Sequence, residues 1–395
     1  MACFTELTRL LDRLSAEYGV PCCDCAVTLD GELIYRHGAG FNDVACQKPV
    51  SGRETYWMYS ATKLITCTAA LRLMEEGKLE LDAPVGRYLP EFMRLTVRKE
   101  TGKIYQSQEQ LTVKHLMTMT GGLDYDLLRP ALVQALQNGA SQTCEIVAAL
   151  AKDPLCFEPG SHFLYSLCHD VLGAVVERAS GMGFSEYVRQ RITEPLGMEN
   201  TTFHPTEKQQ KQMAAQYAWS ETERKPLPSG EKNHFRFTEA YESGGAGLMS
   251  TVDDYIRFAT ALALGGISQE GVRILSENSV NLMKTDFLGP IQRQDFLRRS
   301  PAARGYSYGL GVQVLVDDVG TGVPLGEFGW DGAAGAYVLV DTSNRLAMVY
   351  VQHLCGFGRT YQEIHPALRD TLYRCIGKTG QCTQKRLADC VKNSQ

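Results

Sequence analysis

Phe4, Leu7, Leu10, Leu11 and Leu14 recur at helical spacing and predict an amphipathic helix at the start of the chain. Behind it, Ala26–Leu29 and Glu32–His37 carry strand-type patterning around Asp30-Gly31, a two-residue pair suited to a tight hairpin. Near the other end, Gly335–Asp341 and Arg345–His353 form a second hairpin pattern around Thr342-Ser343-Asn344, and Thr360–Cys375 reads as a helix. Strands near both termini, flanked by terminal helices, predict an α+β layer arrangement: one mixed antiparallel sheet assembled from the two chain ends.

The middle is mostly helical. Ala61–Glu76 is apolar-rich and stops at Gly77, Thr112–Thr118 precedes the turn Gly121-Gly122, and Asp170–Ala179 stops at Gly181. Phe184–Ile192 follows and is ended by Pro195 and Gly197. Glu221–Asn233, rich in charge and proline, reads as a surface loop, as does the basic segment Arg293–Arg304, whose charges are expected to be solvated. The predicted organisation is a sheet domain from residues 1–58 and 240–395, with a mostly helical domain over 59–239.

Composition changes this picture little. The 395 residues can bury a large core, and 44% hydrophobic with 22% charged residues is ordinary for a globular protein. A net charge of -5 supplies no basic excess for phosphates, so nucleic acid is not an expected partner. The apolar runs fall short of the roughly 20 residues of a membrane helix. Thirteen cysteines at irregular spacing, behind an N-terminus without a secretory pattern, predict a reducing, cytoplasmic setting. Cys22-Cys23-Asp24-Cys25 contains a C-x-x-C spacing, but nothing accompanies it to build a metal site, and small buried thiols are expected there and at Cys375, Cys382 and Cys390. The eight histidines show no ligand spacing, so neither a metal nor another cofactor is expected.

Candidate chemistry begins at Ser60-Ala61-Thr62-Lys63, an S-x-x-K at a helix start. Residues three apart share a helix face, so hydroxyl and amine can meet, and a serine needs such a base to become nucleophilic. Trp57-Met58-Tyr59 before it and Leu64-Ile65 after it predict a buried position, an awkward place for an idle lysine. Tyr165-Ser166-Leu167 supplies a phenol that can relay the proton if a neighbouring positive charge pulls its pKa down. Gly329-Trp330-Asp331-Gly332-Ala333-Ala334-Gly335 leads into a strand, where small residues would let a substrate lie against backbone N–H groups.

In this order and with these flanks, the three segments resemble the serine β-lactamase and penicillin-binding protein superfamily. The closer likeness is to its class C branch, and above all to the family VIII carboxylesterases and related acyltransferases and D-peptidases. It extends over most of the chain and includes Leu111–Met117 with Thr120-Gly121-Gly122-Leu123, Glu194–Met198 with Asn200-Thr201, Gly244–Thr251, and Tyr308-Gly309-Leu310-Gly311. The resemblance implies Ser60 as the acylated nucleophile, Lys63 as its base, Tyr165 as the group that protonates the leaving group, and the backbone N–H groups of Ser60 and Ala333 as an oxyanion hole. It also implies a β-lactamase/transpeptidase-like fold with the site in a cleft between sheet and helices.

The chain departs from the β-lactamase pattern at Leu167, where an asparagine is usual, and at Trp330-Asp331-Gly332, where Lys-Thr-Gly is usual. Losing charge-assisted bonds of ~1.5–3 kcal/mol each argues against efficient β-lactam binding. Trp330, Asp331 and Gly332 are the expected substrate-binding residues, with Asp331 either meeting a cationic group or shaping a turn. The expected activity is hydrolysis of a small ester, amide or short peptide through an acyl-enzyme. Alternatives are acyl transfer through the same intermediate, a D-amino-acid peptidase or amidase, and a catalytically silent binding protein. The residues leave open the oligomeric state and which of Lys63 and Tyr165 is the base, because each perturbs the other's titration.

Overall fold

The computed structural model describes residues 4–377. It contains an eight-stranded antiparallel sheet with strands β1 (Cys22–Leu29), β2 (Glu32–Asp43), β3 (Lys48–Pro49), β4 (Tyr306–Tyr308), β5 (Gln313–Leu315), β6 (Phe328–Asp331), β7 (Tyr337–Asp341) and β8 (Leu346–Gln352). Their spatial order is β4-β5-β6-β7-β8-β1-β2-β3, so β1 from one chain end pairs with β8 from the other, Ala26 opposite Val349. Both predicted hairpins form. Asp30 and Gly31 take positive φ, 52° and 88°, the turn geometry that their sequence favours.

Alternation along the central strands divides the core in two. Cys23, Cys25 and Val27 face one way with Tyr337, Leu339, Met348 and Tyr350, where they meet Leu7, Leu11 and Leu14 of helix α1 (Thr5–Glu17) and Ile364, Leu368 and Leu372 of the C-terminal helix 360–377. Cys22, Ala26, Val338, Val340, Ala347 and Val349 face the other way, toward the larger cluster that holds the mid-chain helices. The same alternation settles the C-x-x-C spacing: Cys22 and Cys25 lie in different core clusters on opposite faces, and both are free thiols. Cys375 is also a buried free thiol, whereas Cys382 and Cys390 lie outside the described residues.

Helices α2 (Thr62–Glu75), α3 (Cys168–Ser180), α4 (Val252–Ala263) and α5 (Pro290–Arg299) pack around the second face. Gly181 ends α3 in the left-handed conformation expected of a C-terminal glycine. Three local expectations need correction. Phe184–Val188 continues as a π-helical turn, Arg189–Thr193. The expected loop after Ser220 contains a strand, Lys225–Pro228, pairing with Tyr217–Ser220; at its free edge Pro226 and Pro228 cost no ladder hydrogen bond. The basic segment Arg293–Arg304 is helical as far as Arg299. Among the described residues, no helix is long and apolar enough to cross a membrane.

Candidate active site

Ser60 lies in a single 3-10 turn, Tyr59–Ala61, that leads directly into α2. Tyr59 adopts φ 46°, a conformation that costs a non-glycine residue energy and persists when its surroundings hold it. Here its hydroxyl donates to Gln216 Oε1 at 2.5 Å, and its ring packs edge-on against Phe235. The end of β6 closes on the same turn. A Cβ on Gly332 would come within 2.3 Å of the Met58 carbonyl oxygen, so glycine is what allows the third motif to approach the turn that carries Ser60.

One helical turn on, the Lys63 amine is 3.1 Å from Ser60 Oγ, 3.3 Å from the Tyr125 hydroxyl and 2.6 Å from the Gly245 carbonyl oxygen. Lys63 is wholly buried, and burial lowers its pKa to about 7; Asp170 and Asp331 oppose this fall, and Arg299 adds to it. Asp170 begins the inner face of α3. Its Oδ1 accepts from Tyr241 at 2.9 Å and from Ser243 at 2.6 Å, and a Cβ on Gly245 would come within 2.5 Å of its Oδ2. The carboxyl group thus holds the segment whose carbonyl receives Lys63.

Tyr165 brings its ring centroid within 4.6 Å of the Lys63 amine, and the ring lies against both Tyr125 and Trp330 at 5.5 Å. Contrary to the expectation of a phenol pulled down by positive charge, burial pushes the Tyr165 pKa up, and hydrogen bonding to Ser60 only partly offsets it. Trp330 donates its indole N–H to the Tyr165 hydroxyl at 3.0 Å. With its oxygen accepting there, the phenol keeps its proton free to donate.

Ser60, Tyr165, Trp330, Asp331 and Ala333 line one cavity of about 540 Å³, bounded across the cleft by Arg299–Ala303 and along the sheet edge by Tyr306, Tyr361 and Arg369. The structure therefore gathers the sequence-predicted residues; Gly332 serves the close approach rather than the lining. It also adds three residues that sequence reasoning missed. Tyr125 is carried beside Lys63 by the loop after Thr120-Gly121-Gly122, which is pinned to the tyrosine motif through Leu164 N to Met119 O (2.9 Å) and Leu167 N to Asp124 O (3.1 Å). Arg299, expected to be simply solvated, places its guanidinium 4.7 Å from the Tyr165 ring centroid. Tyr361 directs its hydroxyl at the carbonyl oxygens of both Gly332 and Ala333, each at 2.9 Å. A larger groove of about 1030 Å³ lies between β2, the Pro195–Gly197 turn and α4, and none of the side chains just described lines it.

The Beta-lactamase family profile matches residues 7–371, and the chain belongs to that family. Among curated relatives, esterase EstB of Burkholderia gladioli is 32% identical over 372 residues, covering 88% of this chain and 89% of its own. Monacolin J acid methylbutanoyltransferase of Aspergillus terreus is 30% identical over 262 residues, 63% of this chain and 61% of its own. The solved structure of EstCE1, described as a hydrolase with promiscuous acyltransferase activity, superposes with a TM-score of 0.77 at 26% identity, covering 94% of this chain and 98% of that one.

Proposed function

We propose that the protein is a serine hydrolase that cleaves small esters or amides through an acyl-enzyme on Ser60. The observation that carries this reading is the 3.1 Å approach of a buried lysine amine, with its pKa near neutrality, to a cavity-lining serine hydroxyl. Neutral Lys63 takes the Ser60 proton as Oγ attacks the carbonyl carbon. Tyr165, which holds its own proton firmly, passes one to the departing oxygen or nitrogen. The backbone N–H groups of Ser60 and Ala333 receive the developing oxyanion, and Tyr361 supports the second by fixing the carbonyls on either side of the Ala333 nitrogen. Water, activated by the same lysine–tyrosine pair, releases the acid.

Acyl transfer to an alcohol is the second reading, favoured by the transferase activity named for two relatives and by a cavity that opens to solvent beside Ser60. We place the protein in the reducing cytoplasm, a setting supported by the free thiols of the ten described cysteines. The deciding measurement is intact mass after treatment with a fluorophosphonate. One adduct on the wild type, none on Ser60→Ala, and loss of p-nitrophenyl ester hydrolysis in that variant are expected. Equal labelling of both proteins would overturn the assignment. Comparing products with and without an alcohol acceptor separates hydrolysis from transfer.

A further inference from the structure

Among the described residues, every carboxyl group near the cleft but one has a partner in the protein. Asp170 accepts from Tyr241 and Ser243, Glu327 accepts from Tyr306 at 2.5 Å, and Asp295 meets His162 at 2.8 Å. Asp331 lines the cavity beside Ser60 and, among the described residues, its side chain makes no hydrogen bond and no ion pair. The turn-shaping role its residue type suggests is absent: Asp331 closes β6 opposite Tyr337, and its carboxyl accepts nothing from the residues that follow. The Asp331 carboxyl is only partly covered where it lines the cavity; the protein packed around it still pushes its pKa up to about 7, with Lys63 and Arg299 opposing the rise.

Neither nearby cation is available to it. Lys63 is committed to Ser60, Tyr125 and Gly245. Arg299 forms no ion pair with Asp331; it is exposed to solvent at the cavity wall and lies over the Tyr165 ring. Hydration and the ring face satisfy that guanidinium, so the group that lacks a counterpart is the carboxylate. A single carboxylate lacks the ligand set of a metal site, but it suits an ammonium group, whose other flank would meet the aromatic rings of Trp330, Tyr165 and Tyr361 in the same cavity. Asp331 stands two residues before Ala333, the proposed oxyanion donor, so a cation held there lies close to the reacting carbonyl.

Building on the acyl-enzyme reading, we infer that the substrate is an amino-acyl ester or amide whose ammonium group, close to the scissile carbonyl, is bound by the Asp331 carboxylate. With Lys63 in the neutral form that accepts the Ser60 proton, the cleft presents the carboxylate to the incoming amine without a competing ammonium beside it.

The test compares kcat/KM for D- and L-alanine benzyl esters with that for benzyl propionate, which lacks the amine. In the wild type, one alanine ester is expected to be preferred by about tenfold or more, the scale of one charge-assisted hydrogen bond. In Asp331→Asn the ratio is expected to collapse to near unity. A wild-type ratio near one, a ratio that survives the substitution, or an equal loss on all three esters overturns the inference while leaving the acyl-enzyme intact. Calorimetry on Ser60→Ala with D- and L-alaninamide against propionamide gives a readout independent of catalysis. Amine-selective binding that disappears when Asp331→Asn is added supports the site even if no ester is turned over; no difference between the amides sinks it.

Discussion

Glu54 is a carboxyl group buried in the frame and Asp331 one half-buried at the cavity wall, and the protein treats them in opposite ways. Around Glu54 the frame has replaced the lost water: Asn42 Nδ2, the Ser51 backbone and hydroxyl, and the Gly52 backbone all donate to it at 2.8–2.9 Å. Burial alone would raise its pKa, but the donors from Ser51 and Asn42 outweigh burial, and the net shift is downward. Asp331 receives no such donors and moves up to about 7. Lys63 follows the same logic with the opposite charge, since two of its three contacts are hydroxyls and none is a carboxylate. A frame charge is stabilised in one protonation state. A cleft charge is left near balance at neutral pH, where a proton can be exchanged or a ligand can tip it.

The largest effect that could break this contrast belongs to Lys63. Lys63→Met should reduce ester hydrolysis by about 10³–10⁴-fold, the scale of a lost catalytic base, while thermal unfolding stays where it was or rises, because a buried amine with no ion-pair partner is removed. In the wild type, kcat/KM should rise with pH through about 7 as Lys63 loses its proton. A flat profile across neutrality would mean that the amine is not the titrating base. Glu54→Gln should do the reverse. The neutral amide cannot accept all of the donors that converge on the carboxylate, so stability should fall by about 2 kcal/mol in denaturant unfolding, with hydrolysis per folded molecule unchanged. A smaller effect is expected at Tyr361. Tyr361→Phe frees the Gly332 and Ala333 carbonyls and should cut kcat about tenfold with KM held, along with the rate of fluorophosphonate labelling. A rise in KM with kcat unchanged would place Tyr361 in substrate binding instead.

Part of the site and of the fold was legible in the sequence, and the reason lies in spacing. Ser60 and Lys63 are one helical turn apart, so their meeting follows from local geometry. The two hairpins follow from turn residues flanked by alternating strands, and the buried thiols of Cys22, Cys23 and Cys25 from the strand pattern they run into. What stayed hidden depends on packing between distant segments. Tyr125 is delivered by a loop pinned to residues 164–167, and Tyr361 by a C-terminal helix packed beside the sheet. Arg299 sits in a run of basic residues whose composition fits solvated charge equally well; nothing local distinguishes it from Arg298, which pairs with Asp295 on the surface. The upward shift of Tyr165 was missed because burial, a property of the whole fold, outweighs the Ser60 and Trp330 hydrogen bonds and the charge of Arg299.

Asp170 offers the finest discrimination between frame and cleft, because it belongs to both. It is buried and hydrogen-bonded like Glu54, yet burial wins and its pKa is raised, with Ser243, Lys63 and Tyr241 pulling the other way. It is also the strongest charge opposing the fall in the Lys63 pKa. Asp170→Asn keeps an oxygen to accept from Tyr241 and Ser243, so the segment holding Gly245 should stay in place, but the negative charge is gone. The neutral amine is then favoured further, and the acid limb of kcat/KM should move to lower pH with the plateau little changed. A purely structural role would lower the plateau and leave the limb where it was. The direction of that one limb decides whether the carboxylate of α3 serves the frame alone or sets the charge of the lysine it helps to seat.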